Sequence, residues 1–269
     1  MEKDKRLDEL EQKIDKSRRK IKNSDDKKVV EGTFDSSTML TIYELLNRKH
    51  IDSIGGVIAT GKEANVYRAF LEVESEDENE DLKKILYALK IYRVKTSDPR
   101  HMYAYIVGDP RFKRIRRKMK DIVFVWAEKE YKNLKRAFDA GVRVPKPIVV
   151  KKNLLLMDFI ASEKTDDPAP LLKDTKLKDP EKVFEKLFEN VKRLYQYARL
   201  VHADLSEYNV LMPTQDDPVI IDISQAVVRH HPQSEEFLFR DLKNILNYFK
   251  KYDIEIPSVK KAFKNISKL

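Results

Sequence analysis

The sequence contains no cysteine, which excludes disulfide bonds, thiolate catalysis and cysteine-ligated zinc sites. It also lacks a long hydrophobic run, since its most apolar stretch, residues 152–160, is far shorter than the about 20 residues that span a bilayer. The N-terminus is dense in Lys and Glu and has no apolar segment of the kind that a secretion signal requires. We therefore expect a soluble, cytoplasmic protein.

What the chain has in abundance is charge. Charged residues make up 37% of the 269 residues and hydrophobic residues 41%, which is typical of a globular protein with a strongly charged surface. Residues 72–81 carry seven acids and no base, and residues 111–120 carry seven basic residues and no acid. Both segments fit solvated loops, and the acidic one is expected to be an inserted hairpin. The basic one also fits a surface that binds the phosphate backbone of a nucleic acid.

The order of hydrophobic patterns predicts an α+β protein with two lobes. Residues 1–49 are expected to be a charged N-terminal helical extension, with a helix that Ser36 or Ser37 caps. Residues 50–160 read as a strand-rich lobe with one long helix, which follows a flexible loop at 95–120. Residues 161–269 read as a smaller, mainly helical lobe.

The most informative motif is a His, an Asp and an Asn at H-x-D-x-x-x-x-N spacing, formed by His202, Asp204 and Asn209. A second Asp, Asp222, ends a short apolar strand after it. This arrangement is typical of phosphoryl transfer from a nucleotide. Asp204 is predicted to orient the attacking hydroxyl or water, and Asn209 and Asp222 to bind Mg²⁺ through oxygen. His202 is expected to orient the loop and not to act as the base.

Such a site also needs a lysine for the phosphates. Lys90 lies in an otherwise apolar strand, where a buried ammonium requires a partner. We predict Glu130 as that partner because Leu134, four residues on, belongs to the apolar face of the helix. Glu128 is the alternative partner, and an exposed position of Lys90 on an edge strand is the alternative to a phosphate site.

Two further segments are expected to contact the nucleotide. Residues 56–62 match the start of a Walker A loop, but Glu63 stands where a hydroxyl is needed and a strand follows. A strand-turn-strand lid with Thr60 and Lys62 near the triphosphate fits better. The backbone of Asp158 and Ile160 would form the hinge that binds adenine, although an ordinary strand end gives the same sequence pattern.

These segments together resemble the RIO kinases, specifically the type-one branch. The resemblance extends from about residue 36 to the end, and its short length suggests an archaeal member. It implies a trimmed protein-kinase bilobe with extra N-terminal helices, and use of ATP with Mg²⁺ or, as an alternative metal, Mn²⁺. It rests on residues 60–67, 126–130, 157–160, 168–173, 202–209 and 221–225.

The resemblance also implies a biological role. It implies serine autophosphorylation, maturation of the small ribosomal subunit, and an ATPase cycle in which Asp222 becomes a phosphoaspartate. The expected partners are the small-subunit precursor or its rRNA, through residues 111–120, and a serine of the same chain as phospho-acceptor. No membrane or DNA partner is expected.

Two other classes of function remain open. The chain could be a nucleotide-switched binding module for the pre-ribosome, with little kinase turnover. A small-molecule phosphotransferase shares the H-x-D-x-x-x-x-N pattern, but nothing after Asp222 indicates an acidic pocket for a cationic sugar.

Overall fold

The computed structural model describes residues 34–74, 82–94, 98–112, 118–163 and 165–268. Most of the predicted N-terminal extension (1–33), the larger part of the acidic insert (75–81) and the centre of the basic segment (113–117) lie outside these residues. Within the described ranges no helix is long and apolar enough to cross a membrane.

A five-stranded antiparallel sheet forms the first lobe, with strand order β1-β2-β3-β5-β4. One face of this sheet is covered by helix α1 (Ser36–Asn47), which shares a small apolar core with it. Asp35, and not Ser36 or Ser37 as predicted, caps α1, because its side chain accepts from the Thr38 N–H at 2.8 Å. The strands are β1 Ser53–Thr60, β2 Ala64–Glu74, β3 Leu82–Tyr92, β4 Pro147–Lys151 and β5 Leu154–Asp158.

Two helices follow β3. The long helix α3 (Met119–Asp139) packs against β4 and β5, and Gly141, with φ of +72°, follows its end. Helix α2 (Pro99–Ile106) lies inside the predicted flexible loop 95–120, so the described part of that loop is partly ordered. Helix α2 forms because Asp98 caps it, and because Met102 and Ile106, one turn apart, are fully buried.

The second lobe is mainly helical. Helix α4 (Pro180–Gln196) begins after the capping Asp179, and helices α5 (Ser234–Phe249) and α6 (Val259–Ser267) follow later. Between α4 and α5 lie two short antiparallel pairs. The pairs are β6 Leu200–Val201 with β9 Val227–Val228 and β7 Val210–Leu211 with β8 Val219–Ile220.

A single apolar core runs from α3 through α4 to α5 and α6. It includes Trp126 and Leu155 of the first lobe and Leu187 and Phe249 of the second. The two lobes are therefore packed together next to the inner strand pair, where the motif residues lie. The α+β class is confirmed.

Candidate active site

Lys90 is buried in the middle of the sheet and binds carboxylates from both lobes. Its Nζ lies 2.9 Å from Glu130 Oε2 of α3 and 2.9 Å from Asp222 Oδ1. Strand β3 pairs with β2 on one side and β5 on the other, so the edge-strand alternative for Lys90 is wrong. Glu128 instead pairs with Lys132 on the outer surface of α3. The Lys90 ammonium thus joins the helix to the start of the segment after β8.

These three charged groups shift one another's pKa values. Burial by itself would lower the pKa of Lys90, but the carboxylates of Asp222 and Glu130 outweigh burial and raise it above the ordinary value. Burial raises the pKa of Glu130 to about 7, since Lys90 offsets only part of the desolvation. Burial acts on Asp222 as well, yet Lys90 and the Ser224 hydroxyl keep its pKa below the ordinary value. Asp222 is therefore the carboxylate that stays ionised.

His202 holds the motif loop to the end of β8. Its Nδ1 accepts from the Asp204 N–H at 3.3 Å, so Nε2 carries the proton and donates to the Ile221 carbonyl at 3.1 Å. The ring is buried, with 1% of its surface exposed. Both ring nitrogens are occupied by backbone partners, which suits the orienting role that the sequence predicts.

Asn209 and Asp222 lie at neighbouring ends of the strands β7 and β8. The Ile221 N–H donates to the Asn209 carbonyl at 3.0 Å, which places Asp222 beside Asn209. Asn209 Nδ2 donates to the Asp204 carbonyl at 2.7 Å, leaving its side-chain oxygen as an acceptor. Asp222 has a φ of +54°, a strained conformation for a residue with a side chain.

These two side chains suit Mg²⁺ better than a metal that needs a complete protein cage. In the part of the chain that the structure describes, no group of three His, Asp or Glu residues could hold a metal ion. One amide oxygen and one half-exposed carboxylate fit Mg²⁺, which commonly keeps several waters and takes phosphate oxygens as its other ligands. Asn209 and Asp222 would hold the ion together with a nucleotide.

Asp204 is exposed on the same loop, where it can meet an acceptor. The Gln225 side chain donates to Asp204 Oδ2 at 3.1 Å, leaving Oδ1 as a further acceptor. Partial burial raises the pKa of Asp204, and the negative charge of Asp222 acts in the same direction. A carboxylate with a raised pKa is a better proton acceptor than an ordinary Asp.

Thr60 is the last residue of β1 and Lys62 lies in the turn between β1 and β2, and both are exposed. The Gly61 N–H donates to the Ala64 carbonyl at 2.9 Å, which closes the turn, and β2 follows directly. A Walker A loop is therefore excluded, because its helix is absent at this position. The next residue, Glu63, accepts from Trp126 Nε1 of α3 at 3.2 Å, which fixes the base of the turn to that helix.

The hinge segment has part of its backbone already occupied. The Asp158 N–H donates to the Lys146 carbonyl, and the Ile160 carbonyl accepts from the Ala169 N–H, both at 2.9 Å. An adenine edge at this segment would therefore have to use the Asp158 carbonyl and the Ile160 N–H.

Sequence reasoning missed two buried polar residues on α3. Lys129 donates to the carbonyls of Ser224 and Ala226 at 2.7 and 2.5 Å. Asn133, one turn on, donates to the carbonyls of Ile223 and Ala226. These bonds hold the segment that follows Asp222 against α3. The available signal was two further polar residues, spaced i and i+4, on the buried side of the helix, which also includes Glu130 and the apolar Trp126, Ala127, Leu134 and Ala137.

Asp241 on α5 was missed as well. Its two carboxylate oxygens accept from the N–H groups of Ala203 and Leu205, at 2.8 and 2.9 Å. Arg240 adds a hydrogen bond to the Ala203 carbonyl, and Ala203 has a φ of +67°. Asp241 thus fixes the strained loop that presents Asp204. Its sequence signal was an Asp between Leu238 and Leu242 on the buried face of α5.

Comparison with known proteins agrees with this geometry. A RIO domain model matches residues 65–262. The chain is 42% identical to the RIO-type serine/threonine-protein kinase Rio1 of Haloferax volcanii, over 88% of this chain and 77% of that protein. It is 39% identical to Rio1 of Methanocaldococcus jannaschii, over 86% of this chain and 74% of that protein.

A solved structure shows the same fold. The Rio2 kinase of Chaetomium thermophilum, in an ADP/Mg²⁺-phosphoaspartate complex, superposes with a TM-score of 0.62 at 23% identity. The match covers 88% of this chain and 68% of that one. The predicted kinase-like bilobe is thereby confirmed.

Proposed function

Because the chain belongs to the RIO family of serine/threonine-protein kinases, we propose that it transfers the γ-phosphoryl group of ATP to a serine of its own chain and also hydrolyses ATP. The observation that carries this proposal is the ammonium of Lys90 between Glu130 and Asp222, beside the loop of Asp204 and Asn209. A phosphoryl-transfer site of the kinase type needs a phosphate-binding lysine with its carboxylate partner, ligands for the metal and a carboxylate that positions the acceptor.

Each residue of the site has a separate role in phosphoryl transfer. Lys90 holds the nucleotide phosphates while Glu130 keeps its ammonium in place. Asn209 and Asp222 hold Mg²⁺, which neutralises charge on the phosphates when bound. Asp204 accepts or orients the proton of the attacking hydroxyl or water. Thr60 and Lys62 cover the triphosphate from the β1–β2 hairpin, and the Asp158 carbonyl and Ile160 N–H bind the adenine edge.

Asp222 is also proposed as a phospho-acceptor in an ATPase cycle. One of its carboxylate oxygens attacks the γ-phosphorus, the bond to the β-phosphate oxygen breaks, and ADP leaves. Water then hydrolyses the acyl phosphate and releases inorganic phosphate. The half-exposed side chain of Asp222 supports this role, and a complex of this kind is described for Rio2 of Chaetomium thermophilum.

We further propose that the protein acts in the cytoplasm on the precursor of the small ribosomal subunit or its rRNA. The support is the net charge of +9 and the basic segment at residues 111–120. Replacing Arg114, Arg116 and Arg117 should flatten the salt dependence of binding to small subunits. An unchanged slope would show that this segment is only a solvated surface.

The alternative is a pre-ribosome-binding module in which nucleotide sets the conformation with little turnover. The same basic segment is the observation that favours it. ATP hydrolysis measured with and without small ribosomal subunits separates the two. We expect turnover that subunits stimulate, whereas tight nucleotide binding with no hydrolysis in either condition would favour the module.

The chemistry of the acceptor is tested on the labelled protein itself. After reaction with γ-labelled ATP, hydroxylamine should release the part of the label held on Asp222 and leave phosphoserine intact. A label that resists hydroxylamine completely would exclude a phosphoaspartate, and a label released completely would exclude serine.

A further inference from the structure

A groove of about 840 Å³ lies between the C-terminal end of α4 and helix α6. It shares no residue with the candidate active site. Five lysines line it, and none of the lining residues is acidic. The lining residues are Lys192, Gln196, Ser258, Lys260, Lys261, Lys264, Asn265 and Lys268.

The positive charge of this lysine groove is not balanced within the described residues. None of its five lysines makes an ion pair there, whereas Lys182 and Lys186, earlier on α4, both pair with Asp216 at 2.6 and 3.1 Å. Four of the five lysines lie on or next to the nine-residue helix α6, which has no acidic residue in its first turn. Like charges so close repel one another, and a polyanion in the groove would relieve that repulsion.

The spacing of the lysines suits a chain of phosphates better than a single one. From Lys260 to Lys268 the groove extends about 12 Å along the helix. The cationic groups are all lysine ammoniums, which act as point charges and do not require the bidentate geometry of an arginine fork. This arrangement fits the sequence-independent binding of a phosphodiester backbone.

Two residues at the C-terminal end of α4 favour single-stranded RNA over an acidic protein. Tyr197, which follows Gln196 in the chain, is 68% exposed and offers a ring on which an unpaired base can stack. Gln196 Nε2 donates to the carbonyls of Ile266 and Lys268 at 3.0 and 2.8 Å. Its side-chain oxygen remains an acceptor, to which a ribose 2′-hydroxyl can donate and a deoxyribose cannot.

We propose that the lysine groove binds single-stranded RNA, with its phosphates on the lysines and one base stacked on Tyr197. This site is separate from the basic segment at residues 111–120 and does not depend on phosphoryl transfer.

The test measures binding of a fluorescent RNA of about 12 nucleotides to the full chain as KCl is raised. The triple variant Lys260→Gln, Lys261→Gln, Lys264→Gln removes three groove charges. The matched control, Lys83→Gln, Lys84→Gln, Lys243→Gln, removes three exposed lysines elsewhere and has the same net charge. In the groove variant the negative slope of log K against log salt should become less steep by about 2, since each single-strand phosphate contact contributes about 0.7. The control should keep the original slope, and ATP hydrolysis should be unchanged in both variants.

Equal slopes for the two triple variants would overturn the proposal. So would equal affinity for DNA of the same sequence, or displacement of the RNA by polyglutamate at the same charge concentration. Tyr197→Ala should weaken RNA binding about fivefold or more while Tyr197→Phe retains it. The stacking contact would be overturned if both variants bound RNA as tightly as the wild type, or if both bound it equally weakly.

Discussion

Lys90 makes one fully buried ion pair, with Glu130, and a second pair with the half-exposed Asp222. Only 9% of its side chain and 1% of the Glu130 side chain are exposed. Removing one partner of a buried pair leaves the other charge desolvated, which commonly costs about 3–5 kcal/mol. The lysine should therefore matter for folding as well as for phosphate binding.

We predict that Lys90→Met lowers the free energy of unfolding by on the order of 3 kcal/mol. The double variant Lys90→Met, Glu130→Gln should recover part of this loss, because the buried carboxylate is gone. Urea denaturation of the two variants and the wild type measures both effects. A Lys90→Met variant as stable as the wild type would show that Glu130 is not held by this pair.

Asp241 makes a pH-dependent contribution that can be measured separately. Burial raises the pKa of its carboxyl to about 6, above the ordinary value of about 3.9. The folded state then binds the proton more tightly than the unfolded state. Its contribution to stability is therefore full below about pH 4 and declines as the pH rises to about 6.

Asp241→Asn removes this titration. The stability of the wild type relative to the variant should fall by on the order of 2 kcal/mol between about pH 4 and 6 and then level off. Denaturant unfolding at several pH values gives the difference. If the two proteins showed parallel pH profiles, Asp241 would not titrate as its burial implies. At neutral pH the variant should also hydrolyse ATP more slowly. The Asn side chain has one acceptor oxygen, so its NH₂ group would face the N–H of either Ala203 or Leu205 and that hydrogen bond would be lost.

At the scale of elements, helix α3 supplies Glu130 and also holds the segment that follows Asp222. Through Lys129 and Asn133 it binds three backbone carbonyls of the segment 223–226, directly after Asp222. Burial lowers the pKa of Lys129 well below its ordinary value, and the nearby Arg111 adds to this effect. Arg111 also donates to Asn133 at 2.8 Å, so the end of the described part of the 98–112 segment is bonded to the same helix.

We predict that Lys129→Met reduces kcat with little change in the affinity for ATP. The side chain positions the Asp222 segment, and Met fills its volume without offering donors to Ser224 and Ala226. Lys135→Met is the control, because Lys135 lies on the exposed side of the same helix and, among the described residues, pairs with Asp139 alone. Steady-state kinetics and nucleotide titration give the two quantities. Equal kcat values in the two variants would assign Lys129 no positioning role.

At the scale of the whole molecule, the sequence could predict those features that depend on residues close together in the chain. The H-x-D-x-x-x-x-N motif lies in one loop, and the i, i+4 relation to Leu134 placed Glu130 on the buried side of α3. Lys129 and Asp241 act on segments far away in the sequence, about 95 and 38 residues from their partners, so no local pattern reveals their bonds. Helix α2 was missed because its burial depends on α3, with which it packs.

The lobes also share one core, so the site is held from both sides. The lysine and the hairpin turn come from the first lobe, and the loop of Asp204 and Asn209 comes from the second. A substitution in the site can therefore disturb the packing of both lobes, and a test of the mechanism must distinguish loss of phosphoryl transfer from unfolding. A variant at Asp204 is suited to it, because the side chain is exposed and its removal leaves the Lys90 pairs intact.

The most direct measurement is ATP turnover by Asp204→Ala, followed as phosphate release and as protein labelling, with nucleotide affinity measured on the same preparation. We predict that turnover falls by about 100-fold or more, the effect expected for loss of a general base, while the affinity for ATP with Mg²⁺ stays within about threefold. Turnover at the wild-type rate would contradict the central claim that the His202–Asn209 loop carries out phosphoryl transfer.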